Sequence, residues 1–176
     1  MDSRLDELEA LNKTLKSPQE LSGKFLPEDV PKQYDFIFIA EMPSMSTPKD
    51  ISGLGGNFNV STPDRFLQRM MTTYGVSGSY VTDIVKRGDI PRRPTKEEIQ
   101  QWLPFLLKEI EIIHPKFVVV LGKRTYDVSF KPFIEPLISK DTKIDYVFHY
   151  SQQGAKTNAE VERRFSEVIN KLRNNK

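Results

Sequence analysis

The sequence of 176 residues contains no cysteine, which excludes disulfides, a thiol nucleophile, thiolate zinc sites and cysteine-ligated iron–sulfur clusters. Histidine is nearly as scarce: His114 and His149 are the two imidazoles, too few for a histidine-rich metal site, so neither a metal nor another cofactor is expected. No apolar run approaches membrane-spanning length. The opening "MDSRLDELEALNKTLK" carries charge where a secretory signal would carry an apolar core, which gives the expectation of a cytoplasmic protein without a membrane partner. Low-complexity tracts and fixed-period repeats are absent as well. The net charge of +2 is too small to announce a polyanion partner by itself.

What remains is an ordinary globular composition, 38% hydrophobic and 28% charged, in a chain long enough for one sizeable core. The charge is unevenly placed. "KRGDIPRRPTK" sets Lys86, Arg87, Arg92, Arg93 and Lys96 against Asp89 alone, which is a solvated loop unless a polyanion site adjoins it.

Leu5, Leu8, Leu11 and Leu15 recur at helical spacing over residues 4–16 and predict a leading helix. The three prolines of "SPQELSGKFLPEDVPKQY" predict a loop-rich connection, giving residues 1–34 as helix plus linker and 35–176 as the main body of a single globular domain. The run Asp35 to Ala40 is a first strand. "STPDRFLQRMMTTYG" is a helix with Thr62 as N-cap, Pro63 at its first position and Gly75 as its stop. "SYVTDIV" is a second strand. "TKEEIQQWLPFLLKEIEIIH" opens with Thr95 and Glu98 in capping-box spacing, and Pro104 should kink or split it. "KFVVVLG" and "KIDYVFHY" are the third and fourth strands, and a last helix runs from about Thr157 to Leu172.

Alternating strands and helices predict an α/β protein, a three-layer α/β/α sandwich with a four-stranded parallel sheet. Ligands of such sheets bind beyond the carboxyl ends of the strands. The residues there are Glu41, Asp83, Gly122 with Lys123, and His149, so three strands of one sheet end in ionisable side chains. Singly, each has a bland reading as a cap, a turn residue or a buried histidine. The glycines of "SGLGGNF" lack the lysine and hydroxyl ending of a phosphate loop and more simply permit close backbone approach beside Phe58. His114, at a helix end before Pro115, is given no chemistry.

In order and spacing, "IFIAEMPS", "NFN", "YVTDIVKRG", "IPRRPTKEEIQQWLPFLLKEIEIIHPKFVVVLG" and "FHYSQQ" resemble the motif series of the uracil-DNA glycosylase superfamily over residues 35 to 172, closest to its glutamate-motif branch. The resemblance implies catalytic roles for Glu41, as the acid that handles water or the cationic sugar, and for His149, which bonds the departing base. It implies a base-binding wall of Met42, Phe58 and Asp83. It further implies contacts to DNA from Ser44, Lys86, Arg87, Arg92, Arg93, Lys123, Tyr150, Ser151, Gln152 and Gln153, with Tyr150, Gln152 or Gln153 as a minor-groove wedge. The implied partner is DNA containing a damaged or deaminated base, bound by a monomer without a metal.

The sequence departs from that pattern in four ways. Arg87 and Trp102 stand near two positions where the branch carries cluster cysteines, so packing, with Trp102 as filler, must replace the cluster. Asp83 stands where uracil readers have asparagine. Ionised, it has no proton for a base carbonyl and suits an amino edge better; protonated by burial, or acting on water, it would behave differently. Ser44 replaces a bulky tyrosine and would admit a thymine methyl or another base. Tyr150 and Ala40 replace a proline and a glycine. Two functions follow: a monofunctional glycosylase, or a non-catalytic relative that binds DNA or a nucleobase.

Overall fold

The computed structural model describes residues 2–45, 57–58, 61–151 and 156–174. Its elements in chain order are α1 (Ser3–Asn12), β1 (Lys24–Leu26), β2 (Phe36–Ala40), α2 (Thr62–Thr73), β3 (Ser79–Asp83), α3 (Lys96–Ile113), β4 (Phe117–Leu121), a π-helical segment Thr125–Phe130, a 3-10 turn Glu135–Leu137, β5 (Lys143–Val147) and α4 (Asn158–Asn174). The four expected parallel strands are present in the order β3-β2-β4-β5. A fifth strand, β1, joins the edge antiparallel to β3. It comes from the segment read as loop: "KFL" is too short for a period-2 signal, and only its pairing with Ser79, Tyr80 and Val81 makes it a strand.

The sheet is buried on both faces because its strands alternate two apolar sets. Phe36, Phe38, Val119 and Leu121 point to the α2/α4 side, where they meet Leu67, Met70, Phe165 and Val168. Ile37, Ile39, Val118 and Val120 point to the α1/α3 side, against Trp102, Leu106 and Ile113. All five side chains of β2 are buried, and each large one contributes on the order of 1.5–3 kcal/mol by leaving water.

The helix signals hold with three corrections, the first being that α1 stops at Asn12, four residues short of its expected end. Thr95 and Glu98 form the expected capping box of α3. On α2 the cap is Ser61 rather than Thr62: the Asp64 backbone N–H donates to Ser61 Oγ, and the Ser61 N–H donates to the Asp64 carboxylate. Pro104 neither splits nor ends α3, which runs unbroken from Lys96 to Ile113. Both Pro104 and Gln100, whose carbonyl it leaves without a helical donor, are exposed, so water can take the lost bond while Trp102, Leu106 and Ile110 stay anchored in the core.

Candidate active site

The parallel register brings the ends of β2, β3, β4 and β5 to one edge: Ala40 pairs with Asp83 and Leu121 with Val147. Glu41 therefore emerges beside Asp83. His149 emerges on the far side of β4, two strand spacings or roughly 10 Å of backbone from the Glu41 strand. Between them β4 ends in Gly122, which has no side chain to fill the gap and whose φ of 112° suits glycine. A cleft of about 750 Å³ opens over this edge, and Glu41, Met42, Ser44, Phe58, Arg93 and His149 all line it.

Glu41 is fixed through one oxygen. Ser129 Oγ donates to its Oε1 at 2.7 Å and the Arg93 guanidinium donates to the same atom at 3.1 Å. The Glu41 side chain is only 12% exposed. Neither contact engages Oε2, and Glu41 lines the cleft.

His149 is enclosed, and its burial, reinforced by the positive charge of Arg93 and opposed by Asp64, lowers its pKa to about 4. Its ring is thus neutral at physiological pH. The Ser151 backbone N–H, which can only donate, points at Nδ1 at 3.2 Å, and Ser151 Oγ lies 2.7 Å from the same nitrogen. Nδ1 is the acceptor, so the single ring proton sits on Nε2. Tyr150 stacks on the imidazole, ring centroids 4.7 Å apart.

Asp83 lies beneath the cleft, 1% exposed, and Asn57 connects it to the surface: Asn57 Nδ2 donates to Asp83 Oδ2 at 2.7 Å, and Asn57 lines the cleft while Asp83 does not. Its Oδ1 has no partner among the described residues. Burial raises the Asp83 pKa to about 7, against the lowering effects of the Asn57 bond and Lys86. Phe58, 4% exposed, forms part of the wall at a φ of 64° that costs a non-glycine residue about 1–3 kcal/mol, and its carbonyl accepts from Gln68 on α2.

The basic block reads differently in three dimensions. Lys86 is fully buried and cannot belong to a phosphate-contacting surface; its ammonium is satisfied by Glu109, Thr82 Oγ1 and the Asp83 carbonyl. The cause is the apolar strand-to-turn run that carries it inward, where Glu109 of α3 meets it. Arg87 and Arg92 are exposed but ion-paired, to Asp89 and Glu98. Lys123 pairs with Asp127. Tyr150 is no exposed wedge: it is 8% exposed, with its hydroxyl donated to Asp64. Gln152, Gln153, Asn59 and the Gly53 to Gly56 run lie outside the described residues.

Sequence reasoning passed over Ser129, Asp64, Asn57 and Glu109 as site residues. Ser129 sits on the π-helical segment, 88 positions from its partner, and no local pattern marks it. Asp64 was legible as an acid in the first turn of α2, and Asn57 as the first residue of "NFN".

A family model described as the uracil DNA glycosylase superfamily matches residues 27–173, and the chain belongs to that superfamily. Membership supports glycosylase-type chemistry with DNA as substrate. Among curated proteins none matches the chain. The iron–sulfur cluster of the glutamate-motif branch does not fit these residues, because the chain has no thiolate to hold it. Trp102 is instead packed in the α1/α3-side core, edge-on to Phe105. Among the described residues no helix is long and apolar enough to cross a membrane.

Proposed function

We propose that the protein is a monofunctional DNA glycosylase that hydrolyses the N-glycosidic bond of a flipped, deaminated or mismatched base. The observation that carries this reading is the pairing, on one cleft, of an anchored carboxylate and a neutral imidazole: Glu41 and His149. Heterolysis of the bond between C1′ and the base nitrogen leaves positive charge on the sugar and negative charge on the base. Glu41 Oε2 offsets the first and takes a proton from the water that attacks C1′. His149, with its proton on Nε2, donates a hydrogen bond to the second. A neutral donor keeps its proton after the base departs, whereas an imidazolium would also attract the base before the bond breaks.

No lysine lines this cleft among the described residues, which favours water over an amine as nucleophile. The base is held between Phe58 and the polar pair Asn57–Asp83. With a pKa of about 7, Asp83 acts on the base through Asn57: ionised, it accepts from the Asn57 amide and leaves the Asn57 oxygen for an amino edge; protonated, it donates to that oxygen instead and leaves the Asn57 amide for a carbonyl edge. The small Ser44 leaves room for a ring methyl.

The test is incubation with oligonucleotides carrying uracil, hypoxanthine, xanthine, or thymine opposite guanine, followed by alkaline cleavage of abasic sites. Cleavage at one of these bases names the substrate. Binding without cleavage of any would support a non-catalytic relative, which the Arg93 ion pair on Glu41 favours as a second reading.

A further inference from the structure

A second cleft, about 480 Å³, adjoins the first and shares three wall residues with it, Arg93, Thr125 and His149. Among the described residues its rim is strongly cationic: Arg93, Lys123, Arg124 and Lys156 against the single acid Asp127. Asp127 is already bound to Lys123, so the surplus is not neutralised within the cleft. Gly122 borders it, and a Cβ there would come within 3.2 Å of Thr125 Oγ1 and 3.7 Å of His149, so the glycine keeps this wall open.

We propose that this second cleft seats a backbone phosphate of the nucleic acid next to the flipped nucleotide, and that the phosphate competes with Glu41 for Arg93. The proposal rests on the glycosylase reading of the first cleft. Every nucleotide carries its phosphates within one sugar of its glycosidic bond, so a base entering the first cleft brings an anion to the wall it shares with the second. Arg93 stands on that wall, 37% exposed, with one guanidinium nitrogen on Glu41. A phosphate offers a planar fork more acceptor oxygens than the single Oε1 that Arg93 now engages. Once drawn to the phosphate, Arg93 no longer offsets the Glu41 charge, and the carboxylate, still held by Ser129, faces the sugar with its full negative charge. Full catalytic charge is thereby linked to correct seating of the strand.

The experiment replaces each phosphate flanking the target base, one at a time, with an uncharged methylphosphonate. It measures binding by fluorescence anisotropy and base release in single turnovers at saturating protein. For the wild type, one such position should weaken binding by roughly tenfold, the size of one charge-assisted hydrogen bond, and should also slow base release at saturation. The triple variant Lys123→Gln/Arg124→Gln/Lys156→Gln, whose side chains are exposed, should lose the binding penalty at that position. Arg93→Gln should lose the rate penalty.

Equal sensitivity of wild type and variants at every position, or no oligonucleotide binding, would overturn the proposal. So would saturation of the His149 resonance shift by micromolar inorganic phosphate, which marks a free-anion site. Failure of the glycosylase reading looks different: no base is released from any substrate, while the binding penalty and its loss in the triple variant persist.

Discussion

Glu41 and Ser129 lie 88 positions apart in the chain, yet Ser129 Oγ donates a 2.7 Å hydrogen bond to Glu41 Oε1. The π-helical segment brings that hydroxyl, 2% exposed, under the tip of β2. Ser129 touches neither base nor sugar in the proposed reaction; it positions the carboxylate that does. Ser129→Ala should lower single-turnover base release by roughly tenfold, the worth of one hydrogen bond to a charged group, with little change in DNA binding. Ser129→Thr, which keeps the hydroxyl, should recover part of the rate. Equal losses for both variants would point to packing rather than to the bond.

Asp83 is an acid whose pKa rises on folding, from 3.8 to about 7. Stability from its neutral form is fully present below about pH 4 and is lost as pH rises through about 7. Asp83→Asn removes that loss, so denaturation should show the variant gaining on the wild type by roughly 1–3 kcal/mol between pH 4 and pH 8. On a uracil substrate the variant should release base up to about tenfold faster at pH 8, where few Asp83 side chains keep a proton, and no faster at pH 5.5. A rate ratio that does not vary with pH would separate Asp83 from base recognition.

His149 carries the opposite shift, lowered to about 4 chiefly by burial. Its protonation should therefore leave no limb near pH 6.5 in the rate profile. Below pH 6.5 the unfolded chain binds the proton more readily, and stability should fall progressively toward pH 4. Because Arg93 also holds the imidazole neutral, Arg93→Gln should raise the His149 pKa in an NMR titration. An unchanged titration would show that burial acts alone.

The buried pair Lys86–Glu109 locks the turn after β3 to α3, with Tyr80 and Thr82 also donating to the glutamate. Lys86→Met should cost about 3–5 kcal/mol in denaturant unfolding, because it strands the Glu109 charge. Adding Glu109→Leu should restore only part of that, since it removes the stranded charge but leaves the buried Tyr80 and Thr82 hydroxyls without their acceptor. A mild single-variant effect would place Lys86 nearer solvent.

These residues show what was legible beforehand. Strand ends follow from apolar runs, so Glu41, Asp83 and His149 could be gathered at one sheet edge from the sequence, and Thr95 with Glu98 announced their capping box. Side-chain direction was not legible: Lys86 is one residue from exposed Arg87 in the same basic block, yet only the facing Glu109, 23 positions on, explains why it is inside. For the same reason Ser129 and the Asn57 bridge to Asp83 escaped notice, because each depends on a partner far along the chain. Lys24–Leu26 gained strand character only from β3.

The most direct measurement is single-turnover base release by Glu41→Gln beside the wild type, on the substrate identified by the oligonucleotide panel, with DNA affinity measured in parallel. The amide keeps the shape of the side chain and loses its charge, so release should fall by at least about a hundredfold while affinity changes less than about threefold. Release at the wild-type rate would contradict a reaction driven by the Glu41 carboxylate.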